Sequence, residues 1–295
     1  MDRRRRLLIN AGETATDAAL AECAKEHGIR VFPKARVASA LNIDGSGISD
    51  QEYSYALRAE FDFVVANAAD GLPLFAVEFD EPAHLSNPTI KARDALKASV
   101  CQQLGFPLLR IDAEYLKRHR QGTVLSWLID VWFLEKAFYE AQDGGQVPDD
   151  EPFVYSAFFE PTETGGLGRS IALDAQARGI MLRATEEGVA PFYVPEEVTT
   201  PYDAGHQGVV ESVCIFELAG QRFIIGHARV RDFGYFGGVY AHELVDDLAV
   251  ADAGERLKAF RQGAYQPASR ATLQAIRRRT AGWSRQGHAA SDLPF

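Results

Sequence analysis

The sequence predicts an α/β domain with a mixed sheet in the first half of the chain and a second, strand-rich α+β domain after it. Two apolar runs, 60–66 and 72–79, flank the turn signal Asp70-Gly71, which is typical of adjacent antiparallel strands. A strand, a helix and another strand follow between residues 74 and 111, a pattern that favours a right-handed parallel crossover. The Gly-, Asp- and Pro-rich stretch 141–152 suggests a boundary between two domains.

The first half begins with a helix, a strand and an insert. Residues 14–27 are predicted to form a helix because threonines near its start can cap it and Gly28 can end it. The run 29–37 alternates apolar and polar residues as a half-buried strand does. A polar, glycine-containing insert at 42–52 precedes the two apolar strands.

The rest of the first half contains a second helix, a core strand and a long helix. Asn87 and Pro88 are a good helix start and Gly105 a good stop. The apolar run 106–111 is predicted to be the last core strand, and a long helix is predicted at 113–140. The resulting order of elements is α-β-β-β-α-β.

The second half reads as mostly strands and carries no chemical signature. We place the domains at 1–142 and 150–295. The predicted strands lie at 153–159, 191–194, 209–218 and 221–230, and the predicted helices at 252–262 and 268–280.

Composition excludes several classes of protein. Three cysteines far apart disfavour a zinc site and a disulfide framework. The apolar run after the N-terminal arginines is too short for a signal peptide, and no later run reaches membrane-spanning length. We therefore expect a cytoplasmic protein without a membrane partner.

The net charge of −10 means that any nucleic-acid partner must be met by local basic patches. One patch is Arg3–Arg6. The other extends from Arg270 to Arg285 and includes Arg277, Arg278 and Arg279. Each patch alone is more typical of a solvated chain end.

Carboxylates gather at the end of the strand 72–79. Glu78 and Asp80 project to one face while Val77 and Phe79 project to the other. Buried carboxylates are costly unless a cation lies between them. Asp62, flanked by phenylalanines on the preceding strand, poses the same problem.

The pairing register decides whether these acids meet. An odd-membered loop centred near residue 70 or 71 would bring Asp62 opposite Glu78 or Asp80. A two-residue turn would instead oppose Asp62 to Phe79, and the sequence alone leaves both registers open. Converging carboxylates would offer hard oxygen ligands for Mg²⁺ or Mn²⁺, which support phosphodiester hydrolysis.

The segments "EFDFVV", "AVEFDEPAH", "RDALK" and "GFPLLRI", in this order, resemble the PD-(D/E)XK nuclease superfamily. More narrowly, they resemble its very-short-patch-repair-like branch, including a bacterial domain-of-unknown-function family within it. The resemblance covers about residues 10–115 and implies a restriction-endonuclease-like core. It says nothing about residues 150–295.

The resemblance implies that Asp62 and Glu78 are metal ligands and that Glu13 is the family's upstream acid. Asp80 stands where the superfamily usually has a lysine, and in this branch an acid followed by a histidine such as His84 is the expected pattern. Two further basic residues are candidates: Lys97 could supply the missing cation, and Arg110 could pair with an acid or contact phosphate.

These inferences predict a Mg²⁺-dependent endonuclease acting on DNA, with Asp62, Glu78, Asp80, His84 and Lys97 at the catalytic site. One alternative is a catalytically silent nucleic-acid-binding module. Another is a protein that binds a partner or ligand through its second domain. The oligomeric state is left open.

Overall fold

The computed structural model describes residues 8, 10–81, 87–119, 122–161, 167–201 and 208–287. The chain divides into two compact units, Met1–Val147 and Pro148–Phe295. Within the described residues no helix combines the length and the apolar character needed to cross a membrane.

The first unit contains a four-stranded mixed sheet. Its strand order is β1-β2-β3-β4; β2 is antiparallel to both β1 and β3, and β4 is parallel to β3. The predicted mixed sheet is confirmed. The elements are α1 Ala11–His27, β1 Ile29–Pro33, α2 Val37–Ala40, α3 Asp50–Ala56, β2 Phe63–Asn67, β3 Pro73–Phe79, α4 Pro88–Gln103, β4 Leu108–Ile111, β5 Arg118–His119, β6 Gly122–Thr123 and α5 Val124–Asp143.

Local capping explains where the two helices next to the sheet edge begin. The Asn10 side chain accepts a hydrogen bond from the backbone N–H of Glu13, and α1 ends at Gly28, which has a φ of +61°. Asn87 caps α4 in the same way, with Pro88 as the first helical residue. The N-termini of α1 and α4 are therefore fixed by sequence-local chemistry.

The first unit differs from the sequence prediction at two points. The insert predicted at 42–52 contains the start of α3, where Ser49 and Glu52 form a reciprocal capping box. The helix expected at 113–140 begins only at Val124, where Thr123 and Ser126 form a second such box. A short 3₁₀ turn, Ala113–Leu116, and the β5–β6 pair fill the interval.

Both faces of the first sheet are covered. Val64 and Ala76 join an apolar cluster with Val100 of α4. On the other face Phe75 packs against Trp132 of α5, with ring centroids 5.0 Å apart. Residues of β2 and β3 are consequently buried on either side, which explains their nearly continuous apolar sequence.

The second unit contains an antiparallel sheet of order β11-β10-β9-β14. One face packs against α6 and α7 around Phe216 and Ile224, and the other packs against Leu273 of α8. The elements are β7 Phe159–Pro161, β8 Leu167–Ser170, α6 Ala175–Glu186, β9 Glu196–Thr199, β10 Val209–Leu218, β11 Arg222–Arg231, β12 Tyr235–Phe236, β13 Val239–Tyr240, α7 Ala241–Arg261, α8 Arg270–Arg279 and β14 Ser284–Gly287.

The strand-rich character of the second unit is confirmed. The strands predicted at 209–218 and 221–230 are β10 and β11, and the helix predicted at 268–280 is α8. Several boundaries were wrong. Where a strand was expected at 153–159, a 3₁₀ turn at Tyr155–Ala157 precedes the short β7, and the strand expected at 191–194 lies after Pro195 instead. The helix expected at 252–262 is the last half of α7.

Candidate functional site at one edge of the first sheet

Four strand ends meet at one edge of the first sheet. Pro33, the last residue of β1, pairs with Phe63, the first of β2, which pairs in turn with Val77 near the end of β3. Because β4 runs parallel to β3, its end reaches the same edge. The residues next to these ends are Lys34, Asp62, Glu78, Asp80 and Arg110, and the start of α1 adds Glu13.

Asp62 and Glu78 contact each other across the β2–β3 pair. The backbone N–H of Asp62 donates to Glu78 Oε1 at 3.1 Å, and the N–H of Phe79 donates to Asp62 Oδ2 at 3.0 Å. These two residues are therefore neighbours across the strand pair, each carboxylate accepting a backbone N–H from the opposite strand.

A β-bulge, not an odd-membered loop, creates this register. The backbone N–H of Asn67 donates to the carbonyl of Leu72 across a four-residue loop. If the strands continued in that register, Asp62 would lie opposite Val77. The bulge inserts Leu74 and shifts the pairing by one residue, so that Asp62 lies opposite Glu78.

Lys97 of α4 reaches Glu78 from beneath the sheet. Its Nζ donates to Glu78 Oε2 at 2.6 Å and to the carbonyl of Glu60 at 2.7 Å. Both charged side chains of the pair are less than 10% exposed. Burial raises the pKa of Glu78 above its ordinary 4.5, and the attraction of Lys97 only partly offsets this.

Lys34 forms ion pairs with both Glu13 and Asp62, and it was not predicted from the sequence. Its Nζ lies 2.9 Å from Glu13 Oε1 and 2.6 Å from Asp62 Oδ1. Burial lowers the pKa of Lys34, but the bonds to the two carboxylates outweigh it and raise that pKa above 10.5. The strand register could have identified Lys34. Pro33 pairs with Phe63, so the next residue, Lys34, lies opposite Asp62 once β1 and β2 are aligned.

Arg110 holds Asp80 in a two-point ion pair. Its Nε lies 2.9 Å from Asp80 Oδ2, its Nη2 bonds to Asp80 Oδ1, and the same Nη2 lies 2.8 Å from Asp94 Oδ2. Arg110 is only 5% exposed. Of the two roles considered for Arg110, pairing with an acid is the one that this geometry serves.

The remaining predicted site residues lie outside the described residues or in the second unit. His84 lies outside the described residues, as do Arg3–Arg6. In the second unit Arg277 pairs with Glu196 at 3.0 Å and Arg279 with Glu211 at 2.8 Å. Arg278 is exposed on α8.

The donor chemistry at the edge fits a hard divalent cation. Glu13, Asp62 and Glu78 offer carboxylate oxygens, the ligands that Mg²⁺ and Mn²⁺ prefer, and Asp62 is partly exposed. The three carboxylates do not yet converge, since Lys34 and Lys97 stand between and beside them. Among the described residues, the tight three-ligand group is Glu26, His27 and Asp130, at the far end of α1.

The first unit is thus a mixed α/β domain with a charged network at one sheet edge. Residues 5–123 match the model of a family described as "Protein of unknown function (DUF2726)". The match spans this sheet and all the acids of the network, and it overlaps the region of resemblance at 10–115. Comparisons with curated proteins and with solved structures found no match.

Proposed function

We propose that the first unit is a metal-dependent nuclease of the PD-(D/E)XK type that hydrolyses phosphodiester bonds, in DNA. The observation that carries the proposal is the contact of Asp62 with Glu78, together with a lysine ammonium 2.6 Å from Glu78. Two adjacent acids and a lysine are the set that such chemistry uses.

The order of elements supports a restriction-endonuclease-like core. A helix, three antiparallel strands, a helix and a strand parallel to β3 follow one another, with α2 and α3 inserted between β1 and β2. This is the order that the resemblance implies. The family match to the same region is compatible with it but assigns no activity.

Asp62 and Glu78 are the residues that would hold Mg²⁺ or Mn²⁺, with Glu13 completing the set. When bound, the ion supplies charge stabilisation and a more acidic water. Lys97 favours the ionised form of Glu78, which burial disfavours. It also places a positive charge at the sheet edge that can offset charge on a phosphate.

Asp80 and His84 have the task of positioning or deprotonating the attacking water. Arg110 fixes the orientation of the Asp80 carboxylate, so a positioning role for Asp80 agrees with its contacts. The role of His84 remains a prediction from the sequence.

The test is cleavage of plasmid and single-stranded DNA in Mg²⁺ or Mn²⁺ by the full chain and by Asp62→Asn and Glu78→Gln. We expect loss of cleavage in both variants. Glu140→Gln, an exposed position on α5, is the matched control and should cleave as the wild type does. Equal activity in all four proteins would reject the nuclease proposal.

A catalytically silent nucleic-acid-binding module is the second candidate, and one observation favours it. Glu13 and Asp62 bind Lys34, Glu78 binds Lys97, and Asp80 binds Arg110, so each carboxylate already has a protein cation. DNA binding without Mg²⁺-dependent cleavage, with the same affinity in Asp62→Asn, would support this candidate.

A further inference from the structure

Lys34 lies between two of the three carboxylates to which we assign the ion. Its ammonium is within 3 Å of both Glu13 Oε1 and Asp62 Oδ1, at 2.9 and 2.6 Å. A positive charge that bridges two carboxylates does the electrostatic work that a shared metal ion would do. The two cations therefore cannot both be bound to these oxygens without strong repulsion.

The backbone of Lys34 is unusual in a way that serves this contact. Its φ is +54°, a left-handed conformation that residues with a side chain seldom adopt. Its backbone N–H donates to the carbonyl of Asp62 at 2.9 Å. Lys34 is thus tied to Asp62 at both its backbone and its ammonium, and outliers of this kind are concentrated at functional sites.

Lys34 and Lys97 differ in how easily their ammonium groups can move away from the carboxylates that they contact. The Lys97 side chain is 9% exposed and is bonded to both Glu78 and a backbone carbonyl. The Lys34 side chain is 20% exposed, and its acceptors are the two carboxylates. Lys34 is consequently the cation that can move into solvent when another cation arrives.

We infer that Lys34 is an internal counter-ion that competes with the divalent ion for Glu13 and Asp62. This inference rests on the proposed function, since it concerns the ion of that site. In the metal-free protein Lys34 neutralises the two acids. When an ion binds, the released ammonium stays tethered at the sheet edge, where it can contact a phosphate.

The test is calorimetric titration of Mn²⁺ into the full chain and its variants. Lys34→Met removes the ammonium, and we expect its Kd for Mn²⁺ to fall by about tenfold or more, because an ammonium repels a divalent ion strongly at this range. Lys25→Met is the matched control. It removes the same charge from an exposed position about 18 Å along α1 from Glu13, so its Kd should stay within about twofold of the wild type.

A second measurement needs no activity. Without metal, Lys34→Met should unfold at a lower temperature than the wild type, because two carboxylates lose their counter-ion. Added Mn²⁺ should raise its Tm more than that of the wild type. Lys34→Asn serves as a second neutral variant, since asparagine tolerates the left-handed backbone and protects the test against misfolding.

Three outcomes are separable. Tighter Mn²⁺ binding by both neutral variants supports the competition. Unchanged or weaker binding by folded Lys34→Met and Lys34→Asn, with a wild type that binds Mn²⁺, overturns this inference and leaves the nuclease proposal intact. No Mn²⁺ binding by any of these proteins overturns both.

Discussion

Lys97 Nζ and Glu78 Oε2 are 2.6 Å apart, in a pair whose two side chains are each less than 10% exposed. Breaking such a pair on one side leaves an uncompensated buried charge. We expect Lys97→Met to lower the free energy of unfolding by about 3–5 kcal/mol. Chemical denaturation of the full chain measures this.

Two variants sharpen that prediction. Lys97→Met combined with Glu78→Gln should recover much of the loss, because no buried charge is left alone. Lys91→Met, at an exposed position on the same helix, should change stability by less than about 0.5 kcal/mol. A double variant as unstable as Lys97→Met would contradict the assignment of a buried ion pair.

Glu78 also predicts a pH dependence of stability. Its pKa is raised above 4.5 chiefly by burial, so the folded state holds the proton more tightly than the unfolded state does. This contribution to stability is complete below about pH 4.5 and is lost as the pH rises through the raised pKa. Denaturation midpoints of the wild type should therefore fall more steeply with pH in that window than those of Glu78→Gln. Parallel curves would show that the pKa of Glu78 is not raised in the folded state.

The pH dependence expected from Glu52 has the opposite sign: its contribution to stability falls as the pH is lowered. A hydrogen bond from Ser99, with a smaller contribution from Ser49, lowers the pKa of Glu52 to about 2. The Ser99 bond also joins α3 to α4. The contribution of Glu52 is present above about pH 4.5 and is lost as the pH falls towards 2. Compared with Glu52→Gln, the wild type should be more stable at neutral pH, and that advantage should shrink in acid. Urea midpoints measured against pH test this, and an advantage that does not change with pH would contradict it.

The sheet that positions the site was largely predictable, because its strands and α4 are marked by local signals. Long apolar runs, the Asn87-Pro88 start and the Gly105 stop each depend on neighbouring residues alone. The capping boxes at Ser49 and at Thr123 are equally local, and they mark helix starts that the apolar runs alone do not indicate. The mid-chain helix α6 gave weaker signals, since Gly179 interrupts it and no side chain caps it.

The candidate site was predictable only in part, because it depends on register. The acids stand out in sequence as charges among apolar residues, but their meeting depends on a bulge at Leu74 that no motif announces. Lys34 could be found only after β1 and β2 were aligned. That Arg110 is buried against Asp80 and Asp94 could not be read from a single sequence, because burial depends on the packed fold.

Gly12 fixes the distance between α1 and the end of β3. A Cβ added at Gly12 would lie 2.1 Å from the Phe79 ring, which is buried. Gly12→Ala should therefore push α1 away from β3, move Glu13 relative to Asp62, and cost about 1–3 kcal/mol of stability. Calorimetry of Gly12→Ala measures the cost.

The control for Gly12→Ala is the same substitution at a helical glycine that has no close neighbour. Gly179 in α6 meets only the Arg183 guanidinium at 3.7 Å, so Gly179→Ala should stabilise the protein by about 0.5–1 kcal/mol. Stabilisation by Gly12→Ala as well would mean that α1 does not pack closely on Phe79.

Variants of two neighbouring arginines on α8 can distinguish a DNA-contacting role from a structural role. Arg278 is exposed, whereas Arg277 pairs with Glu196, which is only 2% exposed. If α8 contacts the DNA backbone, Arg278→Ala should reduce the slope of log affinity against log salt by about 0.9 and leave stability unchanged. Arg277→Ala should instead lower stability, because it weakens the neutralisation of a buried carboxylate. Anisotropy of labelled DNA between 50 and 200 mM salt, roughly the range in which such contacts are lost, measures the slopes. Identical slopes for wild type and Arg278→Ala would remove α8 from the DNA-binding surface.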